Sequence, residues 1–419
     1  MRNIAFNLYL IFLISFFLRL SARIPALGVI RIDLLLVILI FAAIFFTKSE
    51  RNEELTDVGE TSRKLKRVIL YVVITLPIVE WPGSVLSHGI QEFIKAVIFF
   101  YFTVSLVVTQ ERLKKLVYIV LGCQFIRIIE PLYLNITEGY WGGKTWAGGE
   151  FEARLAGAPF DIINPNELGY LTVMGMILVY YLLIVNRGIL IRLISIVAIS
   201  ACLYALILTA SRSAFLVAAI ALLMMFWGSK RKSLFIMLGF IGIILGISNM
   251  SDFQRDRYLS IFSSDTKGAA TAEGRVHGLA GEFGVALNRP IVGHGLGTSP
   301  EAIYNVLGGK GLRSHNLYLE TFIELGFIGL LFYLGFLRSV VINIAEVKKR
   351  IKMAGDNDDF ASRLAPALYT WAIVTLIFSI AQYGLSIYTI YLIAGLSVVL
   401  QNAFESHEMN KEVPDNARC

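Results

Sequence analysis

Twelve apolar runs, each near the ~20 residues that a bilayer core requires, constrain this chain more than any other feature. They fall at roughly 4–20, 28–46, 68–86, 91–108, 116–134, 168–185, 193–209, 214–227, 233–249, 317–343, 364–383 and 386–401. A soluble domain carries roughly 25 % charged residues and cannot bury so much apolar surface. Here 56 % of the 419 residues are hydrophobic and 16 % are charged. An ordinary cytosolic enzyme and a disordered chain are both excluded. The expectation is an all-α polytopic integral membrane protein of about 12 transmembrane helices, with residues 1–419 forming a single membrane domain. The first run has no small-residue cleavage site after it and reads as a retained helix. Cys123, Cys202 and Cys419 form neither a disulfide framework nor a zinc motif.

Lys and Arg orient the spans. With the N-terminus inside, 22 of them fall on the cytoplasmic side and 13 on the other, seven of those 13 in one loop from 250 to 315. A loop of that length is largely exempt from the positive-inside rule, so the bias is clear. Both termini are expected in the cytoplasm, with 402–419 as a cytoplasmic tail. The net charge of +7 therefore follows the membrane surface and implies no nucleic acid partner.

Two outer segments are long enough to carry function: one loop at 135–167 and the larger one at 250–315. The first holds Trp141, Lys144, Trp146, Arg154 and the turn Asn164-Pro165-Asn166. In the second, Leu279, Phe283, Val285 and Ala286 recur at helical spacing, which predicts an amphipathic helix over Val276–Leu287 at the outer interface. Gly293, Gly295 and Gly297 then break the chain. Gly293-His294-Gly295-Leu296-Gly297 follows no buried strand and opens no βαβ unit, so it reads as a turn and not as a dinucleotide loop.

Soluble-enzyme signatures are missing: there is no Walker A loop, no His-Glu-x-x-His, no Gly-x-Ser-x-Gly and no Cys-x-x-Cys. What remains is ionisable residues at the outer membrane level. Arg212 lies in a very short turn, Ala210-Ser211-Arg212-Ser213-Ala214; Arg275 precedes the amphipathic helix; His315 opens the tenth span. Each alone has an ordinary reading, as a snorkelling side chain, a solvated charge or a helix cap. Together they suit a lipid-anchored diphosphate. Guanidinium binds phosphate oxygens in pairs and stays charged when desolvated, while a nearby histidine accepts a proton from a hydroxyl near neutral pH. Glu92 with Lys95, and Arg127 with Glu130, lie three apart within spans and are expected to neutralise one another along their own helices.

At the tenth span the chain reads His315-Asn316, nine residues, Gly326, two residues, Gly329. This resembles the signature of the bacterial O-antigen ligase family. Two upstream stretches are similar to the same superfamily, which also includes O-antigen and exopolysaccharide polymerases and protein O-oligosaccharyltransferases. One is the Ser211-Arg212-Ser213-Ala214 turn; the other is Gly274-Arg275 with Asn288-Arg289-Pro290-Ile291-Val292-Gly293-His294-Gly295. The resemblance implies a GT-C-like glycosyltransferase of the bacterial inner membrane, with the loops 135–167 and 250–315 periplasmic, taking a glycan from undecaprenyl diphosphate at the periplasmic face without metal, cofactor or nucleotide sugar. Arg212 and Arg275 would hold the diphosphate and His315 would act on the acceptor hydroxyl, with inversion at the anomeric carbon. Arg154, Asn316 and Arg289 are expected to add substrate contacts. The acceptor would be a lipid A core sugar, in a ligase. It would be a second lipid-linked repeat in a polymerase, which would work beside a chain-length regulator. Protein glycosylation and transport of lipid-linked sugars are weaker alternatives, since no added soluble domain and no internal repeat is visible.

Overall fold

The computed structural model describes residues 2–48, 59–147, 149–184, 188–229, 232–233, 239–240, 250–260, 269–308, 311–355 and 360–412. In chain order its principal elements begin with α1 (Arg2–Leu18), α2 (Ile32–Lys48), α3 (Glu60–Thr75), α4 (Ile90–Leu106) and α5 (Gln110–Glu138). A hairpin follows, β1 (Gly142–Ala147) and β2 (Glu150–Leu155), then α6 (Pro165–Val179), α7 (Ile189–Thr209) and α8 (Arg212–Gly228). The chain continues with α9 (Asp252–Leu259), α10 (Ala269–Asn288) and α11 (Ser299–Leu307). It closes with α12 (Leu317–Met353), α13 (Phe360–Phe378) and α14 (Tyr388–Glu412).

Among the described residues, six stretches are helices long and apolar enough to cross a membrane: Pro82–Leu106, Gln110–Glu138, Pro165–Ile184, Ile189–Thr209, Leu317–Met353 and Phe360–Phe378. These fit a polytopic membrane protein. A helix overlies each predicted run except the ninth, 233–249, which lies largely outside the described residues. The third run, expected at 68–86, is split. Its helix ends at Thr75, and a new helical segment starts at Pro82. Leu76 still has helical dihedrals, φ −49° and ψ −44°, and Pro77 then stops the ladder because it has no N–H to donate.

The all-α expectation needs one correction. Residues 142–155 form an antiparallel hairpin in which Trp146 faces Phe151 and Gly143 faces Arg154. Six residues of each strand alternate sides, and Gly148-Gly149 between them is the short-range sequence signal for such a turn.

The chain divides into two compact units, one of residues 1–50, 114–273 and 358–374, the other of residues 51–113, 274–357 and 375–419. In the first unit α6 is buried along almost its whole length. Gly169 lets it approach the α7–α8 turn, for a Cβ there would lie 2.7 Å from the Ala214 Cβ. Small residues at such crossings are how helices pack in lipid, where tails are as apolar as leucine. Arg127 and Glu130 of α5 form their ion pairs with residues of other elements and not with each other, which corrects the sequence expectation. Arg127 makes a two-pronged bond to Asp161 at 2.8 and 3.0 Å, and Glu130 takes both prongs of Arg23 at 2.6 Å each. Forked guanidinium–carboxylate geometry is stronger than an i,i+3 pair along one helix surface.

In the second unit α12 carries a kink at Gly326, with φ 66° and ψ −174°. The kink frees backbone groups, and neighbours take them up. Phe327 N–H donates to Pro290 O at 2.7 Å, His294 N–H to Ile323 O and Gly295 N–H to Glu324 O, each at 2.9 Å, and the Tyr71 hydroxyl to Leu325 O at 2.9 Å. Gly329, the last glycine of the spacing motif, gives Tyr71 its room: a Cβ there would lie 2.7 Å from the Tyr71 ring. The predicted amphipathic helix is α10, and its Val285–Ala286 face is fully buried with Ala302, Ile303 and Ile323, leaving Phe283 and Leu287 exposed.

Candidate functional site

In the first unit the site is built around the end of α7. Ala210 follows its last residue with φ 47° and ψ 38°, a left-handed conformation. For a residue with a Cβ this costs roughly 1–2 kcal/mol. Ser211 then caps α8, its side chain accepting from Ala214 N–H at 3.4 Å and donating to Asn166 Oδ1 at 3.0 Å. Asn166 stands in the first turn of α6, which Asn164 and Glu167 close as a reciprocal capping box.

Two guanidiniums close over this turn. Arg154, from β2, donates through Nε to Thr209 O at 2.8 Å and through one terminal nitrogen to Asn166 Oδ1 at 2.8 Å and Ala210 O at 3.4 Å. Arg257, from α9, donates through Nε to the same Ala210 oxygen at 3.0 Å. Both are 5 % exposed. The Tyr258 hydroxyl completes the set, donating to Leu206 O at 3.0 Å and Ile207 O at 3.2 Å. Burial holds that phenol far above its usual range, against the opposing pull of Arg154 and Arg257, so it stays a donor. Carbonyls at a helix C-terminus have no partner within the helix and attract cations, which is why donors gather there.

Arg212 opens α8, and its guanidinium donates to the Ser260 hydroxyl at 2.9 Å. Ser260 in turn donates to Arg257 O at 2.7 Å. The Arg212 side chain is therefore anchored on protein and held half-buried. Arg257, Tyr258 and Ser260 were not legible as site residues; only the capping box of Ser251 and Gln254 announces their helix.

In the second unit His315 is exposed immediately before α12. Its neighbour Asn316 is the N-cap, accepting from Tyr318 N–H and Leu319 N–H at 3.0 Å each, so this predicted substrate contact has a structural duty in the helix start. The His315 ring stands 6.0 Å from the Tyr383 ring, and the Arg313 guanidinium lies 5.7 Å from the centre of that same ring. Arg313 also pairs with Glu92, so Glu92 is neutralised from this loop and not by Lys95 as expected. One turn into α12, Glu320 accepts from Gly384 N–H at 2.8 Å and Leu385 N–H at 3.1 Å, which fixes the loop bearing Tyr383. Glu324 accepts from Gly297 N–H and the Ser299 hydroxyl at 2.7 Å each, fixing the glycine loop. His294 in that loop is 2 % exposed, its Nδ1 2.5 Å from Glu80 and its Nε2 donating to Val285 O at 3.0 Å. It is a clasp within the fold. Arg289 donates to Ile78 O at 3.2 Å.

Of the six residues singled out in the sequence, Arg212 and Arg154 are brought to one turn. His315, Asn316 and Arg289 belong to the other unit. The backbone of Arg275 is helical in α10, and its side chain lies outside the described residues. Among the described residues no three His, Cys, Asp or Glu gather as a metal-binding group.

Residues 197–334 match the family model described as O-Antigen ligase. That segment runs from within α7 to within α12 and so contains the Arg212 turn, α9, α10 and His315. The match supports the O-antigen ligase/polymerase superfamily. No curated protein matches the chain.

Proposed function

We propose that this protein is a membrane glycosyltransferase that moves a glycan from undecaprenyl diphosphate to an acceptor sugar at the periplasmic face. One observation carries the reading. Arg212, inside the segment similar to O-antigen ligases, is held by a strained and multiply bonded turn. Non-glycine residues in left-handed backbone persist where the surroundings over-determine them, and such places cluster at functional sites. A guanidinium so fixed is preorganised for the oxygens of a leaving diphosphate.

In this reading Arg212 and Arg275 hold the diphosphate and stabilise the charge that develops as it leaves. His315 takes the proton from the attacking acceptor hydroxyl. Attack in line with the departing group inverts the anomeric carbon. Two arginines supply the neutralisation that a divalent ion gives other phosphoryl sites, so no metal and no cofactor is required. The acceptor assigned is a lipid A core sugar, as in an O-antigen ligase.

The purified full chain in detergent, given undecaprenyl-diphosphate glycan, lipid A core and EDTA, tests this. Transfer to lipid A core is the expected result. Growth of the lipid-linked glycan instead would make the protein a polymerase. Restoration by Mg²⁺ of an activity lost in EDTA would remove the metal-independent step, and absence of any transfer without a sealed compartment would point to transport.

A further inference from the structure

We infer that Arg257, on the short helix α9 of the long outer loop, is a positioning residue for Arg212, acting with Arg154 through the carbonyl of Ala210. The inference rests on the reading that Arg212 binds a lipid-linked diphosphate. Its ground is an arrangement that capping alone does not require. One donor is enough to satisfy a terminal helix carbonyl, yet two guanidiniums, both 5 % exposed, reach the same Ala210 oxygen. Like charges brought together in a buried place repel, so the arrangement opposes itself unless it holds something in return. What it holds is the left-handed Ala210, two residues before Arg212. Were Ala210 to relax to an ordinary conformation, the start of α8 would swing and carry the Arg212 guanidinium with it.

The same turn of chain that bears Arg257 also bears Ser260, the hydroxyl to which Arg212 donates at 2.9 Å. Because Ser260 donates back to Arg257 O at 2.7 Å, the anchor for the Arg212 head and the clamp on its backbone are one rigid piece. Arg257 itself packs over the Phe253 ring, with 5.6 Å from guanidinium carbon to ring centre, which orients its Nε toward the turn. Helix α9 thus sets both the backbone before Arg212 and the position of its side chain.

The test uses the purified full chain in nanodiscs with undecaprenyl diphosphate as the probe. Arg257→Gln should weaken binding by about five- to thirtyfold, the population shift that the cost of a left-handed alanine allows. Its melting temperature should stay near that of the parent. Arg255→Gln, which removes the same charge from an exposed position of α9, should bind like the parent. The decisive variant is Arg257→Gln combined with Ala210→Gly. Glycine adopts the left-handed conformation at no steric cost, so the pair should recover most of the lost affinity. If the double variant binds no better than Arg257→Gln, or if Arg255→Gln weakens binding as much, Arg257 does not act through the turn. Should Arg257→Gln fail to fold, Arg257→Lys, which keeps one donor, replaces it with the same required rescue. Failure of the functional reading looks different: Arg212→Lys itself would bind undecaprenyl diphosphate like the parent.

Discussion

Gly293 and Gly326 meet backbone against backbone: a Cβ on Gly326 would lie 2.6 Å from the Gly293 nitrogen, and one on Gly293 would lie 2.5 Å from the Gly326 nitrogen. This contact explains why glycines occur both in the loop before α11 and ten residues beyond Asn316. The kink of α12 and the glycine loop are one structure, bonded through Phe327 N–H to Pro290 O and His294 N–H to Ile323 O.

Gly326→Ala is therefore expected to destabilise the protein by about 2–6 kcal/mol. The backbone conformation accounts for roughly 1–3 kcal/mol, and the overlap with Ile291 and Gly293 for a similar amount. Gly284→Ala is the control. It lies within α10 with nothing within 4 Å of an added Cβ, and gains about 0.5–1 kcal/mol of helix propensity. Thermal unfolding in detergent reads both, and a Gly326→Ala protein that melts like the parent would show that the kink is dispensable.

Arg212 and His315 should fail in different ways. Arg212→Lys keeps a charge but loses the fork, and should cost about 2–4 kcal/mol of transition-state stabilisation, roughly 10²–10³-fold in rate, together with diphosphate affinity. His315→Ala should lose ~10²–10⁴-fold in turnover while undecaprenyl diphosphate still binds. Transfer rates and lipid-binding isotherms on the same preparations separate the two, and the opposite pattern would invert the assigned roles.

Glu282 carries a pH prediction. Burial raises its carboxyl above the usual range, and the hydrogen bond from Ser314 returns only part of that shift. One of its oxygens is buried with no hydrogen-bond partner. A carboxyl raised in the folded state contributes most below its unfolded value, near 4.3, and loses that contribution as pH climbs through the folded value. Glu282→Gln should then melt higher than the parent at pH 8 and indistinguishably from it near pH 4. An advantage that grows toward low pH would contradict the sign.

Topology is open to direct labelling. In a background lacking the native cysteines, Lys144→Cys on the hairpin should react with an impermeant thiol reagent added to intact cells, whereas Lys349→Cys near the end of α12 should be spared. Both positions are exposed in the structure, so accessibility alone does not bias the result. The reverse pattern would move the hairpin, and the chemistry assigned beside it, to the cytoplasm.

The positions of most helices were readable because each is fixed by its own residues. A segment in lipid must bond its backbone internally, so an uninterrupted apolar run is a helix whatever surrounds it. Local rules gave the rest of what was visible: the face of α10 that carries Val285 and Ala286, and glycines where the chain must turn. The hairpin at 142–155 was missed because two short strands inside a presumed loop leave only a weak period of two.

Partner choice was not readable at all. Arg127 and Glu130 suggested each other by spacing, and the structure gives them Asp161 and Arg23 instead. Arg154 reaches a carbonyl 55 residues away, and Arg257 one 47 residues away. Glu320 and Glu324 looked like part of an unremarked helix until the loops at Gly384 and Gly297 were seen to donate into them. A one-dimensional pattern records which residues share a face over a few turns. Which distant backbone group comes within 3 Å of a guanidinium depends on how the packed helices bring remote turns together, and tertiary structure alone decides that.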